Sequence, residues 1–127
     1  GPSMNPDRVT FRALDRNAMV PKRQTAGAAG YDIRSIAAGV VQPKQAASIR
    51  TGFSLSVPFH FCGIILGRSG FAIKYGLEVK ASYIKNGEEV VVHVQNHGDA
   101  PFHYEKSMRI AQLIFAKMDT SVEYVAG

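Results

Sequence analysis

Tyr83-Ile84-Lys85-Asn86-Gly87-Glu88-Glu89-Val90 sets an Asn-Gly pair between two stretches rich in β-formers. Asn-Gly supports a two-residue type I′ turn, with positive φ at both centres, whose twist matches that of the antiparallel strands it joins. The spacing therefore predicts a tight hairpin. On its own such a turn does no more than link two strands, so its surroundings decide the fold. Runs rich in Val, Ile, Phe and Tyr recur on both sides, at residues 9–14, 31–35, 46–50, 53–57, 61–66, 77–84, 89–95 and 110–117. Between them fall Pro21, Gly30, Gly39, Pro43, Gly52, Pro58, Gly87, Gly98 and Pro101, residues that fix φ or free it. Short strands closely punctuated by turns indicate a β-sandwich or barrel. The one helical window is Phe71-Ala72-Ile73-Lys74-Tyr75, one or two turns long and followed by Gly76 in the place of a C-cap.

The chain has 127 residues, 46% of them apolar, which suffices for one core. Gly1-Pro2-Ser3 before Met4 reads as a cleavage scar left by expression, so a single domain is expected over residues 4–127. The longest apolar runs, such as Phe61-Cys62-Gly63-Ile64-Ile65-Leu66, fall far short of the roughly 20 residues of a membrane-spanning helix. No membrane partner is expected. Cys62 is the single cysteine and sits in a strand pattern, so it is expected to be a buried thiol in a reducing, intracellular setting, cytoplasmic or nuclear. The formal charge of +5 admits nucleic acid, an anionic ligand or a solvated surface. Its distribution argues against nucleic acid: Arg8, Arg12, Arg16, Lys22 and Arg23 are spaced out, with Asp7 and Asp15 among them, and no basic stripe carries interleaved aromatics. His60, His93, His97 and His103 show no zinc-ligand spacing with the one cysteine.

Three stretches could carry chemistry: Ala28-Ala29-Gly30-Tyr31-Asp32-Ile33, Gly67-Arg68-Ser69-Gly70-Phe71-Ala72 and Arg109-Ile110-Ala111-Gln112-Leu113-Ile114. An Arg-Ser-Gly turn offers a planar guanidinium, a hydroxyl and backbone N–H groups, a set that suits phosphate oxygens and equally suits an ordinary turn. Tyr31-Asp32 after Gly30 reads as a strand start with a carboxylate, and residues 109–114 read as a core strand. In this order and spacing the three resemble the first, second and fourth motifs of the trimeric dUTPases, and the resemblance covers about residues 8 to 125.

The resemblance implies an all-β, jelly-roll-like subunit in a homotrimer, with active sites at subunit interfaces and hydrolysis of dUTP to dUMP and pyrophosphate. It implies Mg2+ on the triphosphate whenever a deoxynucleotide is bound, with no side chain binding the metal directly. Arg68, Ser69, Gly70 and Gln112 would hold phosphates, and Asp32 would support the metal–water shell or the active-site network. Hard oxygen ligands with retained waters suit magnesium.

The third motif departs from the family. There a Gly-Val-Ile-Asp-x-Asp-Tyr-Arg-Gly hairpin recognises uracil through its backbone, packs its Tyr on the deoxyribose, and activates water with its first Asp. Ser82, Tyr83 and Ile84 occupy the hairpin's place here, on a shorter turn, and Lys85 stands where the water-activating Asp is expected. No Asp occurs between Asp32 and Asp99. Loss of a general base typically lowers a rate by about 10² to 10⁴, and a lysine beside a triphosphate stays charged. Glu88 or Glu89, beyond the Asn-Gly turn, could replace the carboxylate, but only one of two neighbouring strand residues faces a given side. Ser107-Met108 stands where the family often has Gly-Asp, and the glycine-rich fifth motif, whose aromatic closes over the nucleotide, has no counterpart up to Gly127. The sequence thus favours an impaired or inactive dUTPase-like scaffold, holding a nucleotide or binding another protein. The alternatives are an active dUTPase and a nucleotide enzyme of different specificity.

Overall fold

The computed structural model describes residues 7–127, so the scar read at Gly1-Pro2-Ser3 and Met4 lie outside the described residues. Ten strands and one helix follow in chain order: β1 (Thr10–Ala13), β2 (Tyr31–Arg34), β3 (Gly39–Val41), β4 (Ala46–Ser56), β5 (Phe61–Leu66), α1 (Ser69–Tyr75), β6 (Leu77–Val79), β7 (Ser82–Tyr83), β8 (Glu89–Asn96), β9 (Phe102–Tyr104) and β10 (Arg109–Lys117). One sheet has the order β1-β4-β8-β6, a second the order β2-β10-β5-β7, and β3 pairs with β9 alone. All of these pairings are antiparallel.

The core lies between the two larger sheets. In β8, Val90, Val92, Val94 and Asn96 point inward and alternate with residues that do not, the period-two pattern of a strand with one buried face. Ile49, Phe53 and Leu55 of β4 join them from the same sheet, and Ile33, Ile65, Ile110 and Leu113 meet them from the other. This is the all-β sandwich with one short helix that the sequence predicts. Asn96 is fully buried. Its Nδ2 donates to the carbonyls of Val41 (3.0 Å) and Ala100 (2.9 Å), and its Oδ1 accepts from Gly98 N–H (2.9 Å). One amide therefore ties the end of β8 to β3 and to the loop that leads into β9.

Several expectations needed correction. Segments 46–50 and 53–57 form one strand, β4, because Gly52 (φ 75°) sits in a register irregularity that lets the strand bend and continue. Segment 77–84 divides: β6 pairs with β8 in the first sheet, whereas β7 pairs with β5 in the second. Strands β3 and β9 were not among the expected runs: β3 begins at Gly39, read as a breaker, and β9 begins just after Pro101. A Cβ at Gly39 would fall 2.3 Å from Tyr104 Oη, so the tyrosine ring crosses β3 where only glycine leaves room.

The Asn-Gly hairpin is the largest correction. β7 and β8 lie in different sheets, so this turn joins sheets rather than neighbouring strands. Gly87 takes positive φ (81°) and Asn86 does not, and Glu88 N–H donates to Lys85 O at 3.1 Å, the pattern of a type II rather than a type I′ turn. The physical reason is the Asn86 side chain, which accepts from Val57 N–H (2.9 Å) and donates to Val57 O (3.1 Å), while Gly87 N–H donates to Leu55 O (3.1 Å). The turn is docked on the end of β4.

The helix was legible. Gly76 caps it in the left-handed region (φ 67°, ψ 20°), and its N–H bonds back to Ala72 O and Phe71 O. At the turn into β10, Ser107 also holds a left-handed backbone (φ 67°), at a place where the resemblance expects Gly. Relief of left-handed strain outweighs glycine's extra unfolded-state entropy by a small margin. Ser107→Gly is therefore expected to stabilise the fold by about 0.5 kcal/mol, read as a higher denaturant midpoint at unchanged slope.

Candidate functional site

β2 and β10 are neighbours, with Asp32 opposite Gln112 and Arg34 opposite Arg109. In a regular strand, residues three apart face opposite sides. Here a bulge between Arg109 and Ala111 places Ile110 and Ala111 both in the core, leaving Arg109 and Gln112 on the outer face together. Asp32 and Arg34, two apart on β2, present themselves beside them.

The turn from β5 into α1 completes the site. Arg68, the N-cap, donates from Nη1 to Arg109 O at 3.2 Å, and its guanidinium lies 5.5 Å from the centre of the Phe71 ring. Gln112 Nε2 donates to Gly67 O at 3.2 Å, which fixes the amide against the same turn. A Cβ on Gly30 would approach Gln112 Oε1 to 2.7 Å, so glycine there lets the start of β2 close on the amide. The result is a polar depression of about 320 Å³ lined by Gly30, Asp32, Arg68, Ser69, Gly70 and Gln112, together with Gln24 and Ala28-Ala29. All four residues assigned to phosphate from the resemblance, and Asp32 with them, meet in one place.

Ser82, Tyr83, Ile84 and Lys85 lie elsewhere. They line a separate groove of about 430 Å³ with Glu88 and Glu89, sharing no residue with the first. Tyr83 is 69% exposed. The two glutamates behave differently. Glu89 receives Arg50 Nε at 2.9 Å and Arg50 Nη2 at 3.0 Å, and these bonds, helped by the charge of Arg50 and by Gly52 N–H, hold its carboxyl below the usual carboxylate range despite partial burial. A carboxylate whose folded pKa is depressed adds stability above its unfolded pKa, and that stability is lost as pH falls through the folded value. Glu89→Gln should therefore flatten the acid limb of a stability–pH curve, below about pH 4.3, and leave neutral pH as the range of largest difference from wild type. Glu88 is exposed and enters no salt bridge among the described residues.

Two contributors escaped the sequence reading. Gln24 lies in an unremarkable loop, and its Oε1 accepts from Arg109 Nη1, which also stands 3.7 Å from Asp32 Oδ2. Arg109 was inside a quoted motif, yet only the bulge reveals that it shares a face with Gln112. Among the described residues no three His, Cys, Asp or Glu side chains converge as a metal-binding group, and no helix is long and apolar enough to cross a membrane.

Comparison with known proteins agrees with this layout. The dUTPase family profile matches residues 16–126. The deoxyuridine 5'-triphosphate nucleotidohydrolase of Encephalitozoon cuniculi is 41% identical over 114 residues, 88% of this chain and 79% of the relative. That of Antonospora locustae is 39% identical over 112 residues, 87% of this chain and 78% of the relative. In fold, the chain is similar to a mutant dUTPase from phage phi11 of S. aureus, in which a structural Mg(II) ion is coordinated, with a TM-score of 0.85 and 22% identity over 94% of this chain and 96% of that one. With most of its length matched by the profile and by relatives of this similarity, the chain belongs to the dUTPase family.

Proposed function

We propose that this protein hydrolyses dUTP to dUMP and pyrophosphate, the second of the readings left open by the sequence. The observation that carries it is the convergence of Asp32, Arg68, Ser69, Gly70 and Gln112 in one polar depression. The names of the relatives favour the hydrolytic reading over the impaired one. Arg68 supplies a guanidinium suited to phosphate oxygens, and Ser69 Oγ and the backbone N–H groups of the turn add donors without charge. Gln112, anchored through Nε2, keeps the floor of the depression in place.

The donor set also fits Mg2+. The Asp32 carboxylate and the amide oxygens of Gln24 and Gln112 are hard acceptors for the waters of an ion that keeps several of them and takes the rest of its shell from a triphosphate, so no side chain need bind the metal directly. When bound, the ion would neutralise phosphate charge and polarise a phosphoryl oxygen. Asp32, 3.7 Å from Arg109, is held ready for that shell by its neighbour's charge.

The two grooves share no residue within one subunit. In the proposed homotrimer, Ser82, Tyr83 and Ile84 of one copy face the nucleotide's uracil and deoxyribose while the phosphate depression of another holds its tail. Glu88 takes the place of the missing Asp. The turn closes from Lys85 O to Glu88 N–H, which keeps the two Cα atoms within about 7 Å of each other. Glu89 is committed to Arg50. Lys85 offers a cation to the phosphates rather than a carboxylate to the water. An intracellular location, cytoplasmic or nuclear, belongs to the same proposal.

The deciding experiment is pyrophosphate release from dUTP with Mg2+, paired with calorimetric titration of a non-hydrolysable dUTP analogue and light scattering for the trimer. Hydrolysis by a trimer is expected. Binding without hydrolysis would return the protein to the scaffold reading, which Lys85 in the place of Asp favours. Arg68→Ala should abolish binding of the analogue and shift the melting temperature little, since it removes one hydrogen bond, to Arg109 O, and one cation–ring contact, to Phe71, at a partly exposed site; retained binding would sink the role given to Arg68.

A further inference from the structure

Beside the phosphate depression, and sharing Gln24 and Asp32 with it, lies a second groove of about 570 Å³ lined by Lys22, Arg23, Arg34 and Arg109 with Met19 and Val20. Four cationic side chains face one carboxylate. Arg34 and Arg109 are direct cross-strand partners on β2 and β10, and like charges set opposite one another destabilise a strand pair. The arrangement does little to relieve that repulsion. Arg109 is shared between Gln24 Oε1 and Asp32, the latter at 3.7 Å. Arg34 Nη1 reaches only the neutral carbonyl of Ser107, at 2.7 Å. Arg23 reaches Ala26 O at 3.4 Å and stacks over Tyr31, and Lys22, Arg23 and Arg34 enter no salt bridge among the described residues. Lys22 is brought alongside by its backbone bridge to Asp32.

We infer that this groove is a second anion site, built for a polyphosphate with two linked phosphoryl groups such as inorganic pyrophosphate. Guanidinium groups on adjacent strands suit oxygens carried on neighbouring phosphorus atoms, and Lys22 adds a mobile point charge at the rim. An anion between Arg34 and Arg109 would offset the repulsion between these cross-strand partners. The groove's ability to bind does not depend on the proposed reaction. Its use, as a holding place for the pyrophosphate leaving the adjoining depression, rests on that reading.

The test uses sodium pyrophosphate titrated calorimetrically into the full chain carrying Arg68→Ala, so that the neighbouring depression has lost its guanidinium. Binding is expected to persist in this variant, to weaken as salt is raised, and to weaken further by about tenfold when either Lys22→Gln or Arg34→Gln is added. Because Arg34 also bonds Ser107 O, Lys22→Gln decides the matter should Arg34→Gln disturb the fold. No pyrophosphate binding to wild type, binding that disappears with Arg68→Ala alone, or an affinity untouched by Lys22→Gln would each overturn the inference. The nucleotide reading fails separately, if the dUTP analogue still binds after Arg68→Ala.

Discussion

Turnover of dUTP is expected to fall by about 10²- to 10⁴-fold when Glu88 is replaced by glutamine, while affinity for a non-hydrolysable analogue stays the same. Of the carboxylates near the third motif, Glu88 is the one free to act on water. Glu89 is engaged by both Arg50 Nε and Nη2 and held below the usual carboxylate range, which makes it a weak acceptor for a proton from water. Lys85, at the position of the family's Asp, brings an amine suited to phosphate in place of the carboxylate. Glu88 is exposed, lines the same groove as Ser82, Tyr83 and Lys85, and sits at the far end of the turn that begins at Lys85. Glu88→Asp should retain part of the rate, because the acid remains and only its reach is shortened. Full turnover in Glu88→Gln would remove Glu88 from the mechanism and leave Asp32 as the carboxylate to examine.

Asn96→Ala should produce the largest loss of stability, about 2 to 3 kcal/mol. The side chain is fully buried and uses three of its hydrogen-bonding positions, toward Val41 O, Ala100 O and Gly98 N–H. Truncation would leave the Val41 carbonyl without its partner in the buried interior and would release the Ala100 carbonyl and Gly98 N–H at the half-buried loop. In a chain of this length the melting temperature should drop by roughly 10 °C, which differential scanning calorimetry would measure directly. A drop of a degree or two would mean that the loop between β8 and β9 rearranges to satisfy the three groups itself.

The strands that could be read from the sequence are those whose partners impose a simple alternation. Residues 61–66 became β5 with the same bounds, and the helix ended at Gly76 as its capping chemistry predicts. What was not legible depends on contacts distant in sequence. Nothing local in residues 77–84 reveals that Leu77 pairs with Asn96 in one sheet while Tyr83 pairs with Ile64 in the other. Asn-Gly predicted a type I′ hairpin because local propensity favours it, and the backbone of Val57, 29 residues away, captured the asparagine instead. The candidate site was mostly legible through Asp32, Arg68, Ser69, Gly70 and Gln112, since their order and spacing carry the family resemblance. Gln24 and the outward placing of Arg109 were hidden, one by a featureless loop and the other by a bulge that breaks period-two counting. The weight given to Lys85 led the sequence reading toward an impaired protein. It registered the lost Asp and named Glu88 or Glu89 as a replacement, but could not separate the two, since the bidentate bonds of Arg50 to Glu89 come from a residue 39 positions away.

The clamp of Asn86 on Val57 also fixes how this part of the molecule opens. The amides of Val57 and Gly87 are both engaged between the turn and the end of β4, so neither can exchange with solvent deuterium until that junction parts. β4 is paired with β1 on one side and β8 on the other, and its residues from Thr51 to Leu55 are buried. Opening of the turn is thereby coupled to fraying of a central strand rather than to the free motion of a surface loop. Slow, concerted exchange at these two amides would be its signature, and it would mark Glu88 as carried by a turn that opens only with the end of β4.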